Sequence, residues 1–172
     1  MTYHFNFDPI FREFDKMLGG LWLGLWLAAL SLAIGCVIGL LVAYGRQSRF
    51  APLRWVLWAY VETIRNCPIL LLIFFVYFGL PELGIYFLDK IHSFILTLSI
   101  YAGAYLAEVF RSGLSSIPVR YVEAAKAIGL RPWQRQRYVV LPVMFRITLP
   151  ALSNNLISLF KDTSLAAAIA IP

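Results

Sequence analysis

An all-α polytopic membrane protein is the fold class this sequence predicts, and three observations predict it. Of its 172 residues, 60% are hydrophobic and 16% aromatic, and the mean hydropathy of +0.75 exceeds that of ordinary soluble domains. Leu21 to Tyr44 is an uncharged run of the roughly 20 or more apolar residues needed to cross a hydrocarbon core about 30 Å thick. Further apolar stretches follow it, separated by charged connections. The expectation is about four membrane helices with a helix pair outside the bilayer.

The first run is preceded by a segment carrying Asp8, Arg12, Glu13, Asp15 and Lys16, which has no basic bias, and no small-residue cleavage site follows it. It is therefore read as a retained spanning helix and not a signal peptide, with Gly24, Gly35 and Gly39 inside it suited to close helix approach. The second apolar region, Trp55 to Pro81, contains Glu62 and Arg65 three residues apart and so on one helical face. Within it, Pro68 lacks an N–H and either frees a carbonyl or bends the helix. The third region, Ile91 to Phe110, carries Glu108 near its end, three residues before Arg111. A fourth, from about Ile147 onward, is interrupted by Pro150, Asn154, Asn155, Lys161 and Asp162, and reads as a helix facing protein or water.

Orientation follows from the basic residues, because short basic connections stay in the cytoplasm. Arg46, Arg49 and Arg54 fall in the first connection; Lys90 is the one base of the second, Glu82 to Lys90. Arg111, Arg120, Lys126, Arg131, Arg135 and Arg137 fall in the third. The first and third connections are thus placed in the cytoplasm and the N-terminus outside. This asymmetry accounts for the net charge of +6 without a nucleic-acid partner. Cys36 and Cys67 lie in separate apolar segments without metal-ligand spacing, and His4 and His92 are isolated, so no metal site is expected. No catalytic triad order, phosphate-binding glycine loop or Walker-type lysine occurs; any ATP is expected on another chain.

The third connection, about 111–142, is too long for a simple turn. Ser116 is placed to cap a helix from about Ile117 to Ile128, with Pro118 in its first turn, Gly129 to end it and Pro132 soon after. Val122, Ala125, Ala124 and Ile128 are read as a small-residue face, with Arg120, Glu123 and Lys126 polar. A second short helix is expected from Pro132 to Leu141, broken by Pro142 before the membrane. An Ala-rich helix of this kind suits a groove on a soluble partner; equally, its bases suit a connector lying on anionic lipid.

Glu123-Ala124-Ala125, Gly129 and Leu141-Pro142 resemble the EAA signature of permease subunits of bacterial ABC importers. Glu62 to Pro68 (ETIRNCP), Tyr77 to Pro81 (YFGLP), Ala107 to Gly113 (AEVFRSG) and Lys161 to Leu165 (KDTSL) are similar to the polar amino-acid branch, of histidine, glutamine and glutamate type. The resemblance runs from about Leu21 to the end and treats the chain as a single permease domain, 1–172. It implies an ATP-driven importer in the bacterial inner membrane, with two permease subunits (alike or different), an ABC ATPase dimer carrying the ATP and Mg, and an extracytoplasmic amino-acid-binding protein. The permease itself would be no enzyme and hold no cofactor.

On that resemblance, Glu123, Ala124, Ala125, Gly129, Leu141 and Pro142 are assigned to ATPase coupling. A pathway for polar or charged amino acids is assigned to Glu62, Arg65, Pro68, Glu108, Asn154, Asn155, Ser158, Lys161 and Thr163, since an amino acid brings both an ammonium and a carboxylate needing partners. The plainer account of Glu62 with Arg65, and Glu108 with Arg111, is pairing within a helix or snorkelling to the interface. Two departures stand out. Asn66-Cys67 precede Pro68, and Leu72 occupies a position where the branch usually has Gln, so a companion subunit would supply that polar contact. The family also has about five spanning helices, so its last helix is expected to be missing from a chain ending at Pro172. An ion-gradient-driven transporter or channel subunit is the alternative, although no internal repeat supports it, and a membrane scaffold is a third.

Overall fold

A computed structural model describes residues 13–86 and 88–171; His4, Asp8, Arg12 and Pro172, named above, lie outside them. Helix α1, Phe14–Gly45, is the uncharged run extended by two turns at its start. Its buried positions include Ser31, Gly35, Gly39 and Ala43, one residue every four, which on an α-helix is one nearly straight stripe. That stripe meets α5, Lys90–Ser115. A Cβ on Gly35 would fall 2.7 Å from the Ala102 Cβ, and one on Gly39 would fall 2.8 Å from the Leu106 Cβ, so the missing side chains let the two helices touch. Helix α5 is the best covered of the elements: Phe94, Leu98, Ala104, Leu106, Ala107 and Phe110 are fully buried. Its start is fixed by Asp89, whose Oδ1 accepts the His92 N–H at 2.8 Å. That bond, with the His92 ring beside it, holds the exposed carboxyl below its usual range.

The second apolar region is not one straight span. Helix α2, Ala51–Asn66, ends at Cys67, which is extended (φ −96°, ψ 132°), the conformation that a following proline imposes. Pro68 then starts α3, Ile69–Phe74. From there the chain continues as a π-helical turn, Phe75–Gly79, and α4, Leu80–Glu82. The two halves are bent by 110°. Pro68 sits at that bend, and the break also leaves the last carbonyls of α2 without helical partners. Among the described residues, three helices are long and apolar enough to cross a membrane, and a fourth span exists if the bent pair is counted as one.

Pro142, expected to break the second short helix, lies within continuous helix. The chain does not break there: α7, Pro132–Arg135, a π-helical turn, Gln136–Val140, and α8, Leu141–Asp162, run on into a 3-10 segment, Thr163–Ile169. Proline clashes with the carbonyl four residues earlier in a regular helix. Both Pro81 and Pro142 directly follow a π-helical turn and a leucine, and the wider turn makes the room. The fourth segment therefore begins at Leu141, before the expected Ile147.

Candidate functional site

The third connection folds as two short elements, with details the sequence did not give. Ser116 does not start the next helix but closes α5 as its C-cap, its hydroxyl donating to the Ser112 carbonyl at 2.9 Å. Helix α6 is Val119–Ala127, entered from extended Pro118. Gly129 ends it as expected. With φ at +79°, its N–H bonds the Lys126 carbonyl at 2.9 Å while the Leu130 N–H reaches the Ala125 carbonyl at 3.1 Å, the paired pattern of a glycine-terminated helix.

The small-residue face of α6 is split. Ala125 is 3% exposed and Val122 half-buried, turned toward the π-helical turn, whereas Glu123, Ala124, Ala127 and Ile128 point to solvent. Positions 124 and 128 are one turn apart and 125 lies about 100° away, so all four cannot share a stripe. Leu141 packs on the cluster of Ala43, Leu106, Phe110 and Met144, while Pro142 is exposed. Leu141 thus roots the connection in the membrane core, and Glu123, Ala124 and Gly129 form its free end.

Two tethers bind this end of the bundle together. The Tyr44 hydroxyl donates to Gln136 Oε1 at 2.9 Å, joining the end of α1 to the π-helical turn. Glu108 accepts from Arg46 through one oxygen and from Arg111 Nη2 and Nε through the other, at 2.7 and 2.8 Å. The expected Glu108–Arg111 pair is present, and Arg46, from the first connection, makes it a triad. Sequence spacing had no means of finding Arg46, which is 62 residues away.

Farther along α5 lies a polar cavity of ≈ 140 Å³ lined by Tyr101, Tyr105, Asn155, Ser158 and Asp162, among others. Tyr101 and Tyr105 are one turn apart, with hydroxyls 3.2 Å from each other. The Arg65 guanidinium sits 5.3 Å from the Tyr105 ring centre and the Tyr105 hydroxyl donates to the Arg65 carbonyl at 3.4 Å. Asn155 and Ser158 are therefore brought together with the tyrosines and Asp162, while Arg65 lies outside the cavity lining, against Tyr105. Arg65 does not pair with Glu62; the latter accepts from Asn66 Nδ2 at 3.3 Å. The remaining candidates are elsewhere. Asn154 points outward, Pro68 shapes the bend, and Glu108 is two turns along α5 from Tyr101 in the triad. Lys161 and Thr163 line a separate cavity of ≈ 570 Å³ with Gly20, Gly24 and Phe160. Asp162, Tyr101 and Tyr105 were missed; the i,i+4 spacing of the tyrosines in an apolar helix was the available signal.

The smaller cavity offers a carboxylate acceptor, three hydroxyls and an amide, with a guanidinium beside it. Its volume is below the ≈ 300 Å³ at which pockets for drug-sized ligands usually begin.

Residues 35–171 match the family model described as binding-protein-dependent transport system inner membrane component. The chain is 38% identical to the probable amino-acid ABC transporter permease protein YckA of Bacillus subtilis, over 99% of this chain and 75% of that protein. It is 38% identical to the glutamine transport system permease protein GlnP of Escherichia coli, over 95% and 72%. Among solved structures, the crystal structure of an amino acid ABC transporter with histidines superposes with a TM-score of 0.86 at 28% identity, covering 98% of this chain and 78% of the other. An inward-facing form of the MetNI methionine ABC transporter gives 0.74 at 25% identity, covering 94% and 76%.

Proposed function

This chain belongs to the family of binding-protein-dependent transport system inner membrane components, and from that premise we propose how its parts divide the work of import. It is a transmembrane permease subunit of an amino-acid ABC importer. That membership answers the gradient-driven and scaffold alternatives. The substrate class we propose is polar or charged amino acids, supported by the glutamine permeases among its relatives and by the cavity of Tyr101, Tyr105, Asn155, Ser158 and Asp162. Asp162 takes the substrate ammonium, the hydroxyls and Arg65 take polar groups, and a second permease subunit completes the enclosure.

ATP hydrolysis belongs to a partner ATPase dimer holding ATP and Mg, so the permease is not itself an enzyme and carries no cofactor. An extracytoplasmic binding protein delivers the amino acid. The N-terminus faces outward and the first and third connections face the cytoplasm, a topology supported by the Tyr44–Gln136 and Arg46–Glu108 tethers, which put both basic connections at one end of the bundle.

One observation carries the coupling role: helix α6 is anchored through Ala125 and presents Glu123, Ala124, Ala127 and Ile128 to solvent. A short helix held rigidly at one end and bare along the other face suits insertion into a groove on the ATPase. Rigid attachment also lets movement of that groove reach the membrane helices. Gly129→Asp tests it. A Cβ there meets nothing within 4 Å, so the fold bears only the left-handed backbone cost of about 1–2 kcal/mol, while bulk and charge appear beside the docking face. With the ATPase co-expressed, the variant is expected at normal abundance in the membrane but with co-purified ATPase and uptake both reduced at least tenfold. Undiminished co-purification, or abundance falling in step with uptake, would remove α6 from the coupling role.

A further inference from the structure

Where α1 gives way to α2, Arg46, Arg54, Trp55 and Trp58 line a cavity of ≈ 400 Å³. Spanning helix α1 ends at Gly45, directly before Arg46, so the cavity lies at the membrane–water boundary. Trp55 is 68% and Trp58 46% exposed. Their rings meet edge-on, centroids 5.7 Å apart and planes at 80°, so two indoles form a wall outside the core. Leu53 and Val56 on the same helix are exposed as well. Indoles and aliphatic side chains uncovered at this depth match the level of headgroups and upper acyl chains.

The cavity's charge is unbalanced. Arg46 gives one nitrogen to Glu108 and has other donors left, since a guanidinium carries five N–H groups. Arg54 Nη1 donates at 3.3 Å to the Ser48 carbonyl, a neutral group, and no carboxylate partner is found for it among the described residues. Arg49 and Arg111 add further positive charge nearby in the chain and in the triad, against Glu108 alone. A guanidinium pair backed by tryptophans has the chemistry to hold a phosphodiester by charge-assisted hydrogen bonds, with the apolar remainder against the indoles.

We propose that this cavity is a binding site for the headgroup of an anionic phospholipid, with Arg54 and Arg46 on the phosphate and Trp55 and Trp58 against the glycerol and first methylenes. A lipid is the occupant chosen over a soluble anion because the wall of two exposed indoles offers nothing to a free phosphate. The site stands on the geometry of this end of the bundle and is independent of which amino acid is carried.

The test places photoreactive benzoylphenylalanine at position 55 in the assembled transporter, reconstituted in vesicles containing equal amounts of phosphatidylglycerol and phosphatidylcholine. After illumination, the intact mass of the permease reads which lipid is attached. About 1 kcal/mol of attraction per basic residue near an anionic surface corresponds to roughly fivefold; Arg46 is already neutralised by Glu108, so Arg54 sets the preference and phosphatidylglycerol adducts are expected to exceed phosphatidylcholine adducts about fivefold. Arg54→Lys should keep most of that preference, Arg54→Gln should bring the ratio toward one, and added inorganic phosphate should leave it unchanged. Equal adducts in the unmodified background, a ratio indifferent to Arg54→Gln, loss of the preference to soluble phosphate, or attachment to a partner polypeptide would each overturn the proposal.

Discussion

Replacing Gly39 with alanine is the smallest change that tests how the two central helices are held together. The added Cβ would lie 2.8 Å from the Leu106 Cβ, 2.9 Å from the Ala107 nitrogen and 3.0 Å from the Leu106 carbonyl carbon. Two of those are backbone atoms and cannot rotate aside, so α1 and α5 must separate by roughly 0.7–1 Å to regain ordinary contact at about 3.5–4.0 Å. A gap of that size forfeits a quarter to a half of the attraction between facing atoms. For a buried leucine with some 40–60 contacts of about 0.1–0.2 kcal/mol each, the smaller fraction is already roughly 1–3 kcal/mol, the range seen for overpacked cores. Alanine's better helix propensity returns about 0.5–1 kcal/mol, leaving a net loss of roughly 1–2 kcal/mol. Lipid gives no hydrophobic restoring force between helices, so the loss is not hidden. Gly20→Ala is the control: it lies in the same helix and its Cβ meets nothing within 4 Å, so only the propensity gain remains. Using about 2–4 °C per kcal/mol for a chain of this size, Gly39→Ala should lower the apparent melting temperature by roughly 2–8 °C. Gly20→Ala should leave it equal or slightly raised. The assay is fluorescence-detected size exclusion of the detergent-purified protein after graded heating. A Gly39→Ala protein that melts at or above the Gly20→Ala protein would refute the close-packed stripe.

The Arg46–Glu108–Arg111 triad, with Glu108 and Arg46 side chains 20% and 16% exposed, should show in a double-mutant cycle. Arg46→Gln and Glu108→Gln should each cost about 1–3 kcal/mol, and the double variant less than their sum by at least about 1 kcal/mol; strictly additive effects would mean the bridge contributes no coupling. In the polar cavity, Asp162→Asn should cut uptake of a cationic or zwitterionic amino acid at least tenfold while the amount of permease in the membrane is kept, and uptake at the unmodified level would take Asp162 out of the pathway.

Much of this architecture was legible because lipid imposes simple rules. The apolar runs gave α1 and α5, the glycine gave the end of α6, and the proline at 68 marked a break. What escaped was whatever depended on a third dimension. Glu62 and Arg65 are ideally spaced to pair, yet Arg65 goes to Tyr105, because an aromatic ring on the neighbouring helix competes with a carboxylate that Asn66 already engages. Arg46 was legible as a topological charge and not as the partner of Glu108. Pro142 was read as a helix breaker because the rule concerns regular α-helices, and a sequence carries no direct sign that the preceding turn is π-helical. The same spacing, a π-helical turn and then Leu-Pro, recurs at Gly79-Leu80-Pro81, whereas Leu149-Pro150 lies inside α8 with no such turn before it, so Leu-Pro after a helical pattern is not a stop in this chain, with or without a widened turn.

That correction changes how force can travel. Had Pro142 broken the helix, the connection would join the membrane through a flexible joint, and displacement of α6 would be dissipated there. Instead Pro132 to Ile169 is one helical run, with Val140 buried and Leu141 packed on Phe110 and Met144. The far end of that run carries Asn155, Ser158 and Asp162 on the cavity wall. Movement imposed at Pro132 then reaches these polar groups through a continuous helical run, interrupted by the π-helical turn at Gln136–Val140 and by Pro150, with Leu141 packed on the core between them. A continuous element in contact with both sites is one route by which coupling between them travels. On this reading Leu141 and Pro142 act as the fulcrum of the lever, and Glu123, Ala124 and Gly129 as the handle.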